Sequence, residues 1–178
     1  MKKIILSAIA LISGFITFGQ STLEQTTKIN IGMQGLDFNY ELPISKQLLW
    51  DSSVGLGLGM NASSTATNYN FYLLDPVVSM STGLKWMYNY NKRSENEKNI
   101  SNNAANYIGI QTKYSFGHPK ALDLNKALLT DVHWGVQRNI SKKFVFNTNI
   151  GIGYMHDFDT NYGGIAPILR VKIGYRLF

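Results

Sequence analysis

The sequence predicts an all-β chain, folded as an eight-stranded antiparallel up-and-down β-barrel with an apolar outside and a polar inside. Three observations carry that expectation. Apolar and polar residues alternate with period two along most of the chain after about residue 28, the mark of strands with two unlike faces. Glycine recurs at alternate rather than clustered positions, as at Gly55, Gly57 and Gly59, which keeps one face bare where a narrow interior is crowded. The closing stretch, Ile165 to Phe178, sets Leu169, Val171, Ile173, Tyr175 and Leu177 against Arg170, Lys172, Gly174 and Arg176. A strand with one apolar and one cationic face suits a transmembrane barrel, lipid outside and polar groups within.

Ahead of this domain, residues 1–20 read as a secretory signal peptide. Lys2 and Lys3 give a positive start, an apolar run follows from Ile4 to Phe18, and Gly19 and Gln20 end it at small or polar residues. The run is shorter than the roughly 20 residues a membrane helix needs, and no later run approaches that length. Residues 21–178 are therefore expected to form one barrel domain, exported through the leader. The chain has no cysteine, so neither a disulfide framework nor a thiolate metal site is open to it. Without Lys2 and Lys3, 15 basic residues face 11 acidic ones, a net charge of +4. The basic residues are scattered singly, which argues against nucleic acid as a partner.

Taken in order, Ile29, Ile31 and Met33 share one face, and from Leu36 the phase flips to Leu36, Phe38, Tyr40 and Leu42. Such a change at Gly35 is either a β-bulge or a tight turn. Because single-chain bacterial barrels have even strand numbers, a hairpin at Gln34-Gly35 is expected. Pro43 to Gln47 is a turn, and Leu48 to Asn61 a strand with Leu48, Trp50, Val54, Leu56, Leu58 and Met60 outward. Ala62 to Pro76 is a polar loop whose Tyr69-Asn70-Phe71-Tyr72 run is the segment suited to contact with a partner. Val77 to Tyr90 is a strand with Val78, Met80, Leu84, Trp86, Tyr88 and Tyr90 outward. Asn91 to Ala104 is charged, Asn-rich and almost free of apolar residues, and so is expected to be solvated and mobile.

Tyr107 to Phe116, Leu128 to Ile140, Phe144 to Met155 and the closing stretch complete the wall. Pro43-Ile44-Ser45-Lys46-Gln47-Leu48 is echoed by Asn139-Ile140-Ser141-Lys142-Lys143-Phe144, and the match continues without gaps into Gly55/Gly151 and Gly57/Gly153. Duplication and a shared geometric demand on two turns both account for the echo. With the C-terminus in the periplasm, the turns at Pro43–Gln47 and Ser141–Lys143 and the Asn91–Ala104 segment fall on that side, and the other loops on the outside.

The inward positions carry Asp37, Glu41, Asp51 and Asp131 against Lys85, Lys113, Arg170, Lys172 and Arg176, with His133 beside Asp131. Buried charges persist only when paired and hydrogen-bonded, so a lumen charge network that plugs the barrel is expected. Asp131 and His133 point the same way, but no third ligand stands at metal spacing, and no metal or other cofactor is expected. Ser79, Ser81 and Ser115 face inward without a nucleophile setting, so no catalytic residue is expected and the chain is read as a non-enzyme. The rival fold, a soluble sandwich or lipocalin-like barrel, would put alternate glycine and charge in solvent, with no reason for solvent to require glycine there.

The leader ending Phe18-Gly19-Gln20, the first hairpin Gly35-Leu36-Asp37-Phe38-Asn39-Tyr40-Glu41-Leu42-Pro43-Ile44-Ser45-Lys46, the glycine-alternating strands and the terminal Gly174-Tyr175-Arg176-Leu177-Phe178 together resemble the small outer-membrane β-barrel, porin-like proteins of Bacteroidetes-type bacteria. The resemblance implies a cell-outer-membrane location, insertion by the outer-membrane assembly machinery, and Tyr175, Leu177 and Phe178 as the assembly signal. Phe178 departs from it by standing out of phase with Tyr175. The expected partners are outer-membrane lipid and lipopolysaccharide around a monomer. The expected role is structural or surface interaction; the alternative is a narrow barrel for passage or binding of a small, even hydrophobic, molecule.

Overall fold

The computed structural model describes residues 23–62, 67–70, 76–118 and 124–178. The expected signal peptide, residues 1–20, lies outside them, as do Phe71 and Tyr72 of the loop expected to meet a partner.

Ten strands form among the described residues: β1 (Thr26–Gly32), β2 (Gly35–Pro43), β3 (Leu48–Gly57), β4 (Gly59–Ala62), β5 (Thr67–Asn70), β6 (Val77–Trp86), β7 (Asn106–Phe116), β8 (Lys126–Asn139), β9 (Phe144–Asp157) and β10 (Tyr162–Arg176). Eight of them close an antiparallel barrel in the order β1-β10-β9-β8-β7-β6-β3-β2, and β4 and β5 pair as a separate hairpin. Closure leaves the barrel sheet no edge with unpaired backbone, the condition a sheet must meet to sit in hydrocarbon. The seam joins the first and last strands, from Lys28 opposite Arg176 to Gly32 opposite Lys172. Leu177 N–H donates to Thr27 O at 2.9 Å, and Phe178 O accepts from Thr27 N–H at 3.1 Å. The last two residues thus remain in the ladder although the Phe178 side chain is 77% exposed.

The phase change at Gly35 is a turn, and this is what makes the strand count even. Gly32 pairs with Gly35 across Met33 and Gln34, and Gly35 has φ 109°, a conformation that strongly favours glycine. The two echoing turns are the same structure. Ile44 and Ser45 N–H donate to Leu48 O at 2.8 and 3.2 Å, and Ile140 and Ser141 N–H donate to Phe144 O at 2.8 and 3.2 Å.

The outer wall is apolar: Ile29, Ile31, Leu36, Phe38, Val54, Leu56, Val78, Met80, Ile108, Ile110, Val132, Ile150, Ile152, Leu169 and Ile173 are all exposed. Where hydroxyls interrupt it they face one another across strands. Ser52 stands opposite Thr82, Thr82 opposite Thr112 and Thr112 opposite Thr130. Ser52 bonds Thr82 at 3.1 Å, Thr112 bonds Thr130 at 3.1 Å, and Trp50 Nε1 donates to Thr82 Oγ1 at 2.8 Å. Satisfied in this way, they are tolerable in a nonpolar medium.

The inside is layered. Near one end, here the lower end, Leu23, Leu49, Met87, Tyr90, Ala105 and Tyr107 form an apolar cluster with Ile100 against it. Near the upper end a second cluster holds Met60, Ala127, Leu129, Met155, Ala166 and Ile168. The charged residues lie between them.

Three expectations are corrected. Met60 does not face outward but is fully buried. The wall strand stops at Gly57, and Leu58 N–H turns to Gln34 O at 3.2 Å. β4 then leans over the mouth, where Met60 bridges Asn125. Tyr90 is likewise buried rather than outward, because β6 ends at Trp86 and the chain turns beneath the barrel. The Asn91–Ala104 segment, expected as a solvated and mobile connection, is folded. It contains helix α1 (Tyr90–Glu95) and a tight turn at Ser101–Asn103. Asn102 and Asn103 are buried with φ of 55° and 58°, a region asparagine visits more readily than most residues. Their amides do the work that apolar side chains would do in an ordinary plug.

Candidate functional site

The interior network is centred on Glu41, a fully buried residue of β2. Its Oε1 accepts from Lys28 Nζ and Lys85 Nζ, each at 2.9 Å. Its Oε2 accepts from Thr26 Oγ1 at 3.0 Å, Asn103 Nδ2 at 3.0 Å and Gln137 Nε2 at 3.3 Å. Five donors from β1, β6, β8 and the segment beneath the barrel thus meet on one carboxylate. Period two placed the donors of β1, β6 and β8 on inward faces, and barrel curvature brings strands far apart in the chain within reach of one point.

Lys85 also reaches Asp51 Oδ2 at 2.6 Å, whose carboxylate accepts from Asn39 Nδ2 at 3.1 Å. The Lys85 ammonium lies 5.4 Å from the Tyr107 ring centroid. On the opposite wall Arg170 clamps Asp131 with both terminal nitrogens, a geometry in which both carboxylate oxygens are engaged. Asp131 Oδ1 also meets His133 Nδ1 at 2.6 Å. Polar side chains join the halves: Arg170 donates to Asn149, Asn149 to the Tyr107 hydroxyl, Tyr107 to Asn147, and Asn147 to Gln137. Gln137 returns the chain to Glu41. Nearer the upper end Lys172 Nζ pairs with Asp37 at 2.9 Å, and Asn30 Nδ2 donates to Asp37 at 2.7 Å. At the lower rim Arg176 pairs with Glu24 and donates to Asn102 Oδ1 at 2.7 Å.

Asp37, Glu41, Asp51, Lys85, Asp131, His133, Arg170, Lys172 and Arg176 thus each sit in a salt bridge or in the Asp131–His133 contact. Lys113 is also buried, but among the described residues no carboxylate lies within 4 Å of it. Sequence reasoning left Lys28 and Glu24 out of the network, although Lys28 lies on the inward face of β1. It also left out the amides that join the ion pairs. Asn30, Asn39, Gln137, Asn147 and Asn149 all fall in phase with the inward charges, and that phase was the available signal.

Three features bear on chemistry. His133 is committed: Nδ1 faces Asp131, and the Nε2 edge packs so closely on Gly109 that a Cβ placed there would lie 2.5 Å from it. Ser81 Oγ bonds Ser53 Oγ at 2.8 Å and accepts from Gln111 at 3.1 Å, and Ser115 Oγ is buried without a partner among the described residues. Among the described residues no group of three His, Asp or Glu side chains is arranged to hold a metal. The interior cavities on either side of the Lys172 side chain measure about 30 and 20 Å³, room for a water molecule or two. The arrangement is a closed eight-stranded barrel whose inside is filled by paired charges and amides.

No family model and no curated protein matches the chain. Among solved structures, the backbone structure of the Yersinia pestis outer membrane protein Ail in a phospholipid bilayer nanodisc is similar. It is 14% identical, with a TM-score of 0.37, and the match covers 86% of this chain and 100% of that one. At that identity and score, the reading of this chain rests on its own residues.

Proposed function

We propose that this chain is an integral protein of the bacterial outer membrane with a structural or surface-interaction role, carried to the membrane by its N-terminal leader and inserted as a plugged barrel. One observation carries the reading: the usual distribution of a folded chain is inverted. Exposed Ile, Leu, Val and Phe side chains cover the wall, while Lys28, Glu41, Asp51, Asp131 and Arg170 are buried within it. Water would not stabilise such a wall, whereas hydrocarbon would. The apolar clusters at the two ends and the locked charges between them favour a plug over a conduit. Tyr175, Leu177 and Phe178 remain the assembly signal in this reading.

Two measurements test it. The mature chain refolded into phospholipid vesicles should migrate differently on a gel when boiled and unboiled; identical migration would count against a membrane barrel. The folded protein in a planar bilayer should show no steady conductance steps, and regular steps would overturn the plugged reading while leaving the membrane reading intact.

A further inference from the structure

The charges of the chain are segregated in three dimensions. Eight cations surround the lower end: Lys46, Lys92, Arg93, Lys98, Arg138, Lys142, Lys143 and Arg176. Three acids, Glu24, Glu95 and Glu97, share that end. The upper end has more acids than bases, with Asp157 and Asp159 against Lys126 among its described residues. The basic excess of the chain is therefore a property of one rim.

Within that rim two guanidinium groups are fixed beside the outer wall. Arg138, at an outward position of β8, donates through Nη1 to Gln137 O at 2.8 Å and through Nη2 to Asn106 Oδ1 at 2.5 Å. Arg93, on α1, donates through Nε to Ala104 O and through Nη2 to Asn99 O, both at 2.9 Å. Their acceptors, Ala104 O and Asn106 Oδ1, belong to residues two apart in the chain, so the two groups are held on one stretch of the rim. Among the described residues no carboxylate lies within 4 Å of either, so carbonyl and amide oxygens position them without neutralising them. They adjoin an aromatic belt in which Trp134 Nε1 donates to the Tyr88 hydroxyl at 3.0 Å, and Asn106 Nδ2 to the same hydroxyl at 3.3 Å. Amphipathic Trp and Tyr side chains mark the level of the lipid headgroups on a membrane protein. Farther round the same rim Lys143 Nζ donates to the Tyr175 hydroxyl at 3.3 Å.

We propose that Arg93 and Arg138 form a binding site for the phosphate of an anionic phospholipid in the leaflet at the lower end of the barrel, with Lys142 and Lys143 extending the same basic rim. This rests on the membrane reading above. The like-charged guanidinium pair gains a shared counter-ion, and Arg presents forked donors matched to phosphate oxygens. A lipid fits better than a soluble acidic partner because Arg138 leaves the wall at the level of the Trp134–Tyr88 belt.

The test uses the mature chain in vesicles of zwitterionic phosphatidylcholine alone or mixed three to one with phosphatidylglycerol, followed by native mass spectrometry of retained lipid. Phosphatidylglycerol should be retained preferentially. Arg93→Gln/Arg138→Gln should lose that preference by roughly thirtyfold, about fivefold for each basic residue removed from an anionic surface. Arg93→Lys/Arg138→Lys, which keeps the charge without the fork, should keep part of it, and Lys126→Gln, which removes charge at the other end, should keep all of it. Equal retention of the two lipids, retention unchanged in the double Gln variant, or equal loss in Lys126→Gln would each overturn the site. Binding of soluble acidic polymer at equal strength in both vesicles would assign the rim to a different partner and overturn it too. Heat-shifted migration of every variant checks that the barrel is folded, and failure of the parent chain to insert would sink the membrane reading instead.

Discussion

Replacing Glu41 by Gln perturbs the interior network at the point where its parts converge. The substitution keeps shape and removes one charge. The Gln oxygen can face Lys28 and Lys85, but its NH2 then takes the place of Oε2 and meets the amide donors of Asn103 and Gln137. Neither can turn over. Asn103 Nδ2 also donates to Glu24 O at 2.8 Å while its Oδ1 accepts from Glu24 N–H at 2.7 Å. Gln137 Nε2 donates to Asn102 O at 2.9 Å while its Oε1 accepts from Asn147 at 2.8 Å. Lys85 retains Asp51, whereas Lys28 loses its carboxylate. One stranded buried ammonium and two donor-to-donor contacts should together cost about 3–5 kcal/mol, the range for breaking one side of a buried pair. The assay is denaturant unfolding of the protein in lipid vesicles, followed by the fluorescence of Trp50, Trp86 and Trp134 on the outer wall. In the double variant Lys28→Met/Glu41→Gln the stranded charge is gone, and at least 1 kcal/mol should return. Loss under 1 kcal/mol in Glu41→Gln, or no recovery in the double variant, would refute the hub.

Three further substitutions follow from the same geometry. Gly109→Ala places a methyl 2.5 Å from His133 Nε2; the imidazole must leave Asp131, costing about 1–3 kcal/mol in the same unfolding assay and changing the His133 ring resonances in an NMR spectrum. Thr82→Val removes the acceptor of Trp50 Nε1 and the partner of Ser52, so about 1 kcal/mol should be lost and the Trp50 emission should shift, while a Val that stabilises the barrel would show that the hydroxyl row is held together weakly. Burial, with the Glu24 carboxylate second, pushes the Tyr90 hydroxyl up to about 12; a raised acid keeps its full stabilising effect below the unfolded value near 10 and loses it as pH climbs toward 12. Unfolding midpoints should therefore fall between pH 10 and 12 in the parent and fall less in Tyr90→Phe, with equal slopes counting against this.

Period two was enough to read the wall, because one face of every strand meets a nonpolar medium and the other does not. Ile29, Phe38, Val54, Leu84, Ile110, Val132, Ile152 and Ile173 could be assigned from alternation alone. The even strand count needed one more step, reading Gly35 as a turn. Legibility ended where the chain left the wall. Met60 continues the alternation of β3 on paper, and only the break at Leu58 turns it inward over the mouth. Residues 91–104 are polar enough to belong in water, yet Asn102 and Asn103 satisfy polar groups of the barrel end, and Arg93 ties the segment to itself. Composition cannot separate those outcomes, since an asparagine bonded to protein and one bonded to water are the same letter. Partner choice inside the barrel was hidden for a related reason. Alternation states that Glu41 and Lys85 face inward, but which cation reaches which carboxylate depends on strand stagger.

The glycines and the charges of the interior explain one another. An eight-stranded barrel is so narrow that side chains fill its interior, and here Arg170 on β10 reaches past β9 to Asp131 on β8. That bridge crosses Gly151 and Gly153 of β9, the residues beside His133 and Asp131; a Cβ on Gly151 would lie 2.6 Å from the His133 Cβ, and one on Gly153 2.7 Å from the Asp131 Cβ. At Gly153 and Gly109 the bare position thus faces a large polar side chain of the neighbouring strand, while a Cβ on Gly151 would in addition lie 2.2 Å from Val132 O. Gly57 shows the other use, since its Cβ would fall 1.8 Å from Gln34 O at the β1–β2 turn, so that glycine serves the approach of two backbones rather than space in the lumen. Alternating glycine in a chain of this length thus has two separable causes. They predict opposite responses to a compensating change: shrinking the neighbouring side chain should rescue an Ala at Gly109, where the obstacle is an imidazole, and should not rescue one at Gly57, where the obstacle is a carbonyl of the main chain.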